Sequence, residues 1–62
     1  MSIENIKDKN DHDLAVGNIV SFGATQGEIM AIIQGLRGWA LSVQVESGER
    51  FVYPSEVEFV SS

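Results

Sequence analysis

Gly38-Trp39-Ala40-Leu41-Ser42-Val43-Gln44-Val45-Glu46-Ser47-Gly48-Glu49-Arg50-Phe51-Val52-Tyr53-Pro54 decides how the whole chain is read. Leu41, Val43 and Val45 alternate with Ser42, Gln44 and Glu46, and a period of two belongs to a strand with one buried face. Ser47-Gly48 turns the chain and a second β-rich run, Glu49 to Tyr53, follows. Pro54 ends the ladder, because proline has no N–H to donate. The stretch is therefore a hairpin, and its register depends on the turn. A two-residue turn sets Val43 opposite Val52. A three-residue loop, Glu46-Ser47-Gly48 with Gly48 left-handed as a bulge, sets Phe51 opposite Val43 and Tyr53 opposite Leu41. The second register buries two aromatics of roughly 150–250 Å² each and is the expected one.

Upstream, the body of the chain begins at Leu14. Val16 to Phe22 reads as a first strand with Val20 and Phe22 on one face, continued by Val16. Gly23 to Gly27 is a short loop. Glu28 to Ile33 is a second strand, apolar on both faces, so alternation alone does not set its register. A bulge near Ala31 brings Ile29 and Ile32 to the same core. Gln34 to Gly38 connects to the third strand, Trp39 to Glu46. Downstream, Pro54-Ser55-Glu56-Val57 is one helical turn, since proline suits a first helical position. Glu58 to Ser61 is a short last strand. Five short strands with glycine turns predict an all-β chain rolled into a small closed or half-open barrel.

Residues 1–13 are polar, charged and without period, which predicts a disordered acidic tail ahead of a barrel spanning residues 14–62. Ile3 and Ile6 allow a single helical turn, too short to persist alone. His12 lies between Asp11 and Asp13. That trio is a metal site only if the backbone holds it rigid, and in a tail the histidine is expected to be solvated.

With 62 residues there is room for one domain and for a marginal core. Cysteine is absent, so neither a disulfide nor a thiolate is at hand. The formal charge is −5, with only two lysines and two arginines. A basic stripe for phosphates cannot be built from that set, and nucleic acid is not expected as a partner. No apolar run approaches the roughly 20 residues of a membrane span. Met1 to Asp8 lacks the basic and apolar regions of a signal peptide, so a cytoplasmic location is expected.

The order Val16-Gly17-x-x-Val20, Gly27-x-Ile29, Gly38-Trp39-Ala40-Leu41, Ser47-Gly48-Glu49 and Pro54-Ser55-Glu56-Val57-Glu58 resembles the SH3-like small β-barrels, the group with Tudor and KOW modules. That resemblance implies five strands with a short helical turn before the last, and it leaves the function open. Gln26-Gly27-Glu28-Ile29, Gly38-Trp39-Ala40 and Val52-Tyr53-Pro54 also resemble the plasmid-type (type II) dihydrofolate reductases, SH3-like barrels that assemble a homotetramer around one pore. The family's pore lysine falls on Phe22. Its Gln-Ile-Tyr run falls on Phe51-Val52-Tyr53, where Tyr53 alone matches. What this implies, as an alternative, is a diverged reductase acting as a homotetramer with NADPH.

No catalytic constellation is visible. The single histidine precedes the body, and Glu46 and Glu49 read as a solvated hairpin tip. Leu36, Arg37 and Trp39 cluster on a glycine-flanked loop, and Trp and Arg are enriched in interface hot spots. Tyr53 is either a groove or a core residue. Met30 opposes Ile32 or Ile33 on its strand and leaves apolar surface to be covered. The expected function is a non-catalytic protein-binding module: a small accessory or inhibitory subunit, or a self-assembling barrel. It docks through its loop and exposed strand face with Leu36, Arg37, Trp39, Tyr53 and Met30. The expected partner is another protein or further copies of itself, with no cofactor, metal or membrane.

Overall fold

The computed structural model describes residues 6–62. Its strands are β1 (Ile19–Phe22), β2 (Thr25–Gly35), β3 (Gly38–Val45), β4 (Gly48–Val52) and β5 (Glu58–Ser61), with a 3-10 turn at Pro54–Glu56 before the last. All neighbours are antiparallel in the order β4-β3-β2-β1-β5, so β4 and β5 are the two edges. This is the five-stranded all-β architecture the sequence predicts, compatible with a small SH3-like fold.

Tight turns replace the expected longer loops. Phe22 pairs with Thr25 across Gly23-Ala24, and Gly35 pairs with Gly38 across Leu36-Arg37. Thr25, Gln26 and Gly27, read from the sequence as loop, are strand. Gly27 sits where β2 passes close beneath β3. A Cβ there would lie 2.5 Å from both the Gln44 carbonyl oxygen and Val43 Cγ1, and 2.7 Å from Val45 Cγ1. Only glycine admits that approach. The expected bulge is present: the β2–β3 register slips between Ile29 and Ala31, so Ile29 faces Val43 and Ile32 faces Leu41. Ile29 is fully buried and Ile32 packs against the same cluster. Val16 lies outside β1 and is exposed, so it does not continue the strand's inner face.

Neither expected hairpin register occurs. Val45 pairs with Gly48, which makes Glu46-Ser47 the turn and puts Gly48 at the first paired position with φ 133°. Leu41 then faces Val52, Val43 faces Arg50 and Ser42 faces Phe51. Phe51 is 65 % exposed rather than buried. The interior is already filled by Val20, Ile29, Leu41, Val43 and Val57, all at 0 % exposure. Arg50 takes the inward register position and reaches out of the barrel, its guanidinium 6.0 Å from the Phe22 ring centroid.

Residues 1–5 lie outside the described residues, but 6–14 form a loop folded onto the barrel. Its ends meet through the Leu14 N–H, which donates to the Ile6 carbonyl at 2.7 Å, and a Lys7–Asp13 bridge. The Lys9 N–H donates to the Val57 carbonyl at 3.1 Å, tying the loop to the start of β5. The reason lies in Asp8, 6 % exposed. Its Oδ1 accepts the N–H groups of Asn10 (2.9 Å) and His12 (2.7 Å), and its Oδ2 accepts that of Phe59 (2.7 Å). His12 is exposed, as expected, and one face of its ring stacks on Phe59 at 4.0 Å and 7°. Among the described residues no helix is long and apolar enough to cross a membrane.

Candidate functional site

Three of the residues singled out from the sequence meet at one end of the barrel. Arg37 from the β2–β3 turn, Trp39 from the first turn of β3 and Tyr53 just past β4 line an open cleft of about 580 Å³. The local structure explains the convergence. The two-residue turn between Gly35 and Gly38 brings Arg37 to the mouth, with Gly38 at φ 109° reversing the chain immediately before Trp39. Trp39 has the same parity as Leu41 and Val43, so it leans toward the barrel's end, where it is half-buried. Tyr53 is fixed by the 3-10 turn that follows. Its N–H donates to Glu56 Oε1 at 3.1 Å, and its carbonyl accepts the Glu56 N–H at 2.9 Å.

Leu36 and Met30 are not part of this cleft. Leu36 stands fully exposed at the tip of the turn, and Met30 is the extra residue of the β2 bulge, half exposed. Conversely, Ile6, Lys7, Pro54 and Ser55 complete the cleft and were not singled out from the sequence. Ile6 and Lys7 sit in the segment read as a tail. The signal that places them is Asp8 with Asn10 and Asp11 behind it, a cluster that favours side-chain-capped turns over extended chain.

The electrostatics of the cleft are those of a cationic rim on an aromatic floor. Lys7 Nζ lies 2.6 Å from Asp13 Oδ1, and that hydrogen bond holds its pKa above the ordinary lysine value. Arg37 is exposed. Two of the chain's four lysines and arginines thus face one cleft in a molecule of charge −5. Trp39, Tyr53 and Pro54 supply flat apolar surface with two polar tips, the indole N–H and the phenol hydroxyl.

A second arrangement lies on the outer face of the β2–β3–β4 sheet. Ser42 is 2 % exposed although it points away from the core, and its hydroxyl donates to Glu49 Oε2. It sits in a row between Ala31 and Phe51, with Ile33 and Ala40 in the next row and Glu28, Gln44 and Glu49 in the row on the other side.

No family model, curated protein or solved structure matches the chain.

Proposed function

We propose that this chain is a non-catalytic protein-binding module, a small accessory or inhibitory subunit whose end cleft takes an extended segment of a partner protein. The observation that carries the reading is the convergence of Arg37 and Trp39, from the β2–β3 turn and the start of β3, with Tyr53 from the end of the next hairpin strand, on one open cleft. Aromatic-lined grooves bind extended peptides through flat apolar contacts, and a charge at the rim fixes direction. The cationic rim favours an acidic segment and gives an association rate that falls as salt rises.

Trp39 is the only tryptophan, so its fluorescence reports occupancy of the cleft directly. Matched capture from the native host with the natural chain and with Trp39→Ala identifies the partner by difference. A synthetic peptide from that partner should then quench or shift the emission. Trp39→Ala should weaken binding by more than about 1 kcal/mol, roughly fivefold or more. An unchanged affinity in the folded variant removes the reading.

A further inference from the structure

Ile6 and Lys7, which line the end cleft, belong to a strap, residues 6–14, folded back on itself. Two backbone hydrogen bonds join its arms. The Leu14 N–H donates to the Ile6 carbonyl at 2.7 Å, and the Asp8 N–H to the His12 carbonyl at 3.0 Å. Between them Lys7 faces Asp13, and their side chains pair. The start of the strap lines the cleft, and its middle lies along β5. Asp8 Oδ2 takes the Phe59 N–H, the Lys9 N–H donates to the Val57 carbonyl, and the Asn10 amide donates to Glu58 Oε2 at 3.1 Å. One strap thus touches two places, and its seat on β5 sets the position of the cleft wall.

The strap is built to open. Lys9 to Asp13 are all exposed, and the core takes only Leu14 at its end, with Ile6 at the margin. Asp11 at the tip holds φ 65°, a left-handed conformation that costs a residue with a side chain. Just beyond Leu14 the chain is fixed. The Gly17 N–H donates to the Ile29 carbonyl at 2.8 Å, and the Ile29 N–H to the Asn18 carbonyl at 2.9 Å. Any opening therefore falls ahead of Leu14. Segments with few buried apolar contacts open at lower free energy than a core.

We propose that the arm from Ile6 to Asp8 is a hinged wall of the cleft. With Asp8 seated on β5 the wall is in place. With Asp8 released the arm peels from Asp13 and Leu14 and bares Trp39, while the barrel stays folded. This rests on the binding reading of the cleft and gives that site its regulation. A partner segment that touches Ile6 or Lys7 binds the seated form, so occupancy of the cleft and seating of Asp8 stabilise each other by the same free energy. Unseated chain lowers the apparent affinity in proportion to its fraction.

Trp39 is the only tryptophan and lines the cleft, so acrylamide, a neutral quencher, reads the wall without any partner. Asp8→Ala should raise the acrylamide quenching constant and shift the emission to the red, with the circular dichroism of the natural chain retained. The chain has no cysteine, and Lys7 and Asp13 form the non-hydrogen-bonded kind of antiparallel pair, about 4.5 Å apart at Cα. A disulfide spans that distance. In Asp8→Ala carrying Lys7→Cys and Asp13→Cys, oxidation should lower the quenching constant and reduction should raise it again. Comparing two redox forms of one variant cancels the loss of Lys7. In the natural chain, hydrogen exchange at His12 and Phe59 should pass through an opening insensitive to low urea, while Leu41 and Val43 follow the urea-dependent global route. Unchanged quenching in folded Asp8→Ala overturns the proposal, as does equal quenching of the oxidised and reduced forms. Exchange of His12 and Phe59 through global unfolding alone also overturns it, and decides the matter even if Asp8→Ala fails to fold. A cleft that binds no partner sinks the binding reading and leaves these measurements of the wall as they stand.

Discussion

The centre of the barrel and the N-terminal loop keep their shapes by opposite means. Val20, Ile29, Leu41, Val43 and Val57 come from three strands and the turn before β5, and share one dry interior at 0 % exposure. Residues 6–14 add only Leu14 to that buried cluster and Ile6 to its margin. Their loop is closed instead by the two oxygens of Asp8 on three backbone N–H groups. Apolar burial is non-directional and spread over many contacts. Carboxylate hydrogen bonds are directional and concentrated on one side chain. The centre should therefore fail globally when damaged, and the loop should fail locally and in response to pH.

The largest effect is expected from Leu41→Ala, which opens a cavity in the fully buried centre and should lower unfolding free energy by about 2–5 kcal/mol. Domains of this size hold roughly 0.05–0.15 kcal/mol per residue, so the variant should be largely unfolded in a urea titration at room temperature. Full retention of the natural midpoint would show that the centre does not dominate stability.

Gly27→Ala comes next. Its Cβ meets a carbonyl oxygen and two valine methyls at 2.5–2.7 Å, and the oxygen belongs to backbone that cannot rotate aside. Overpacking of this kind should remove about 1–3 kcal/mol, read as a lower urea midpoint with an unchanged slope.

Asp8→Asn sharpens the contrast. An amide presents one acceptor where three donors need two oxygens, so the change should remove about 1–3 kcal/mol locally. Hydrogen exchange should quicken at Asn10, His12 and Phe59 while Leu41 and Val43 keep their protection. Equal loss of protection in both regions would merge the loop with the centre. Loosening the loop also shifts Ile6 and Lys7, so cleft binding should weaken in the same variant.

The smallest effect, acid titration, tests the same carboxylate without mutation. Burial raises the Asp8 pKa, but the hydrogen bonds from His12, Phe59 and Asn10 outweigh it and hold the carboxyl below its ordinary value of 3.8. A group with a depressed folded pKa contributes stability above its unfolded pKa and loses it as pH falls through the folded one. Loop protection should thus be intact at neutral pH and fade below 3.8, ahead of the centre. In Asp8→Asn that acid phase should be missing.

The period-two run in Leu41–Val45, the glycines at turns and Pro54 after the last hairpin residue predicted five strands and the helical turn, because backbone periodicity is a local property; the order of the strands in the sheet came from the structure. The β2 bulge was also legible, since Ile29 and Ile32 reach one core only through an inserted residue. Arg37, Trp39 and Tyr53 could be singled out by residue type. That they share a cleft, with Ile6 and Lys7 across it, depends on contacts between distant segments.

Residue spacing and side-chain polarity thus determined that five segments extend and which face β1 and β3 bury. The hairpin register, the outward position of Phe51 and the folding of residues 6–14 onto β5 were decided only in three dimensions. The first two depend on how much volume the packed interior leaves. The last depends on a carboxylate at Asp8 meeting the Phe59 N–H, far away in sequence, and no local pattern encodes that meeting.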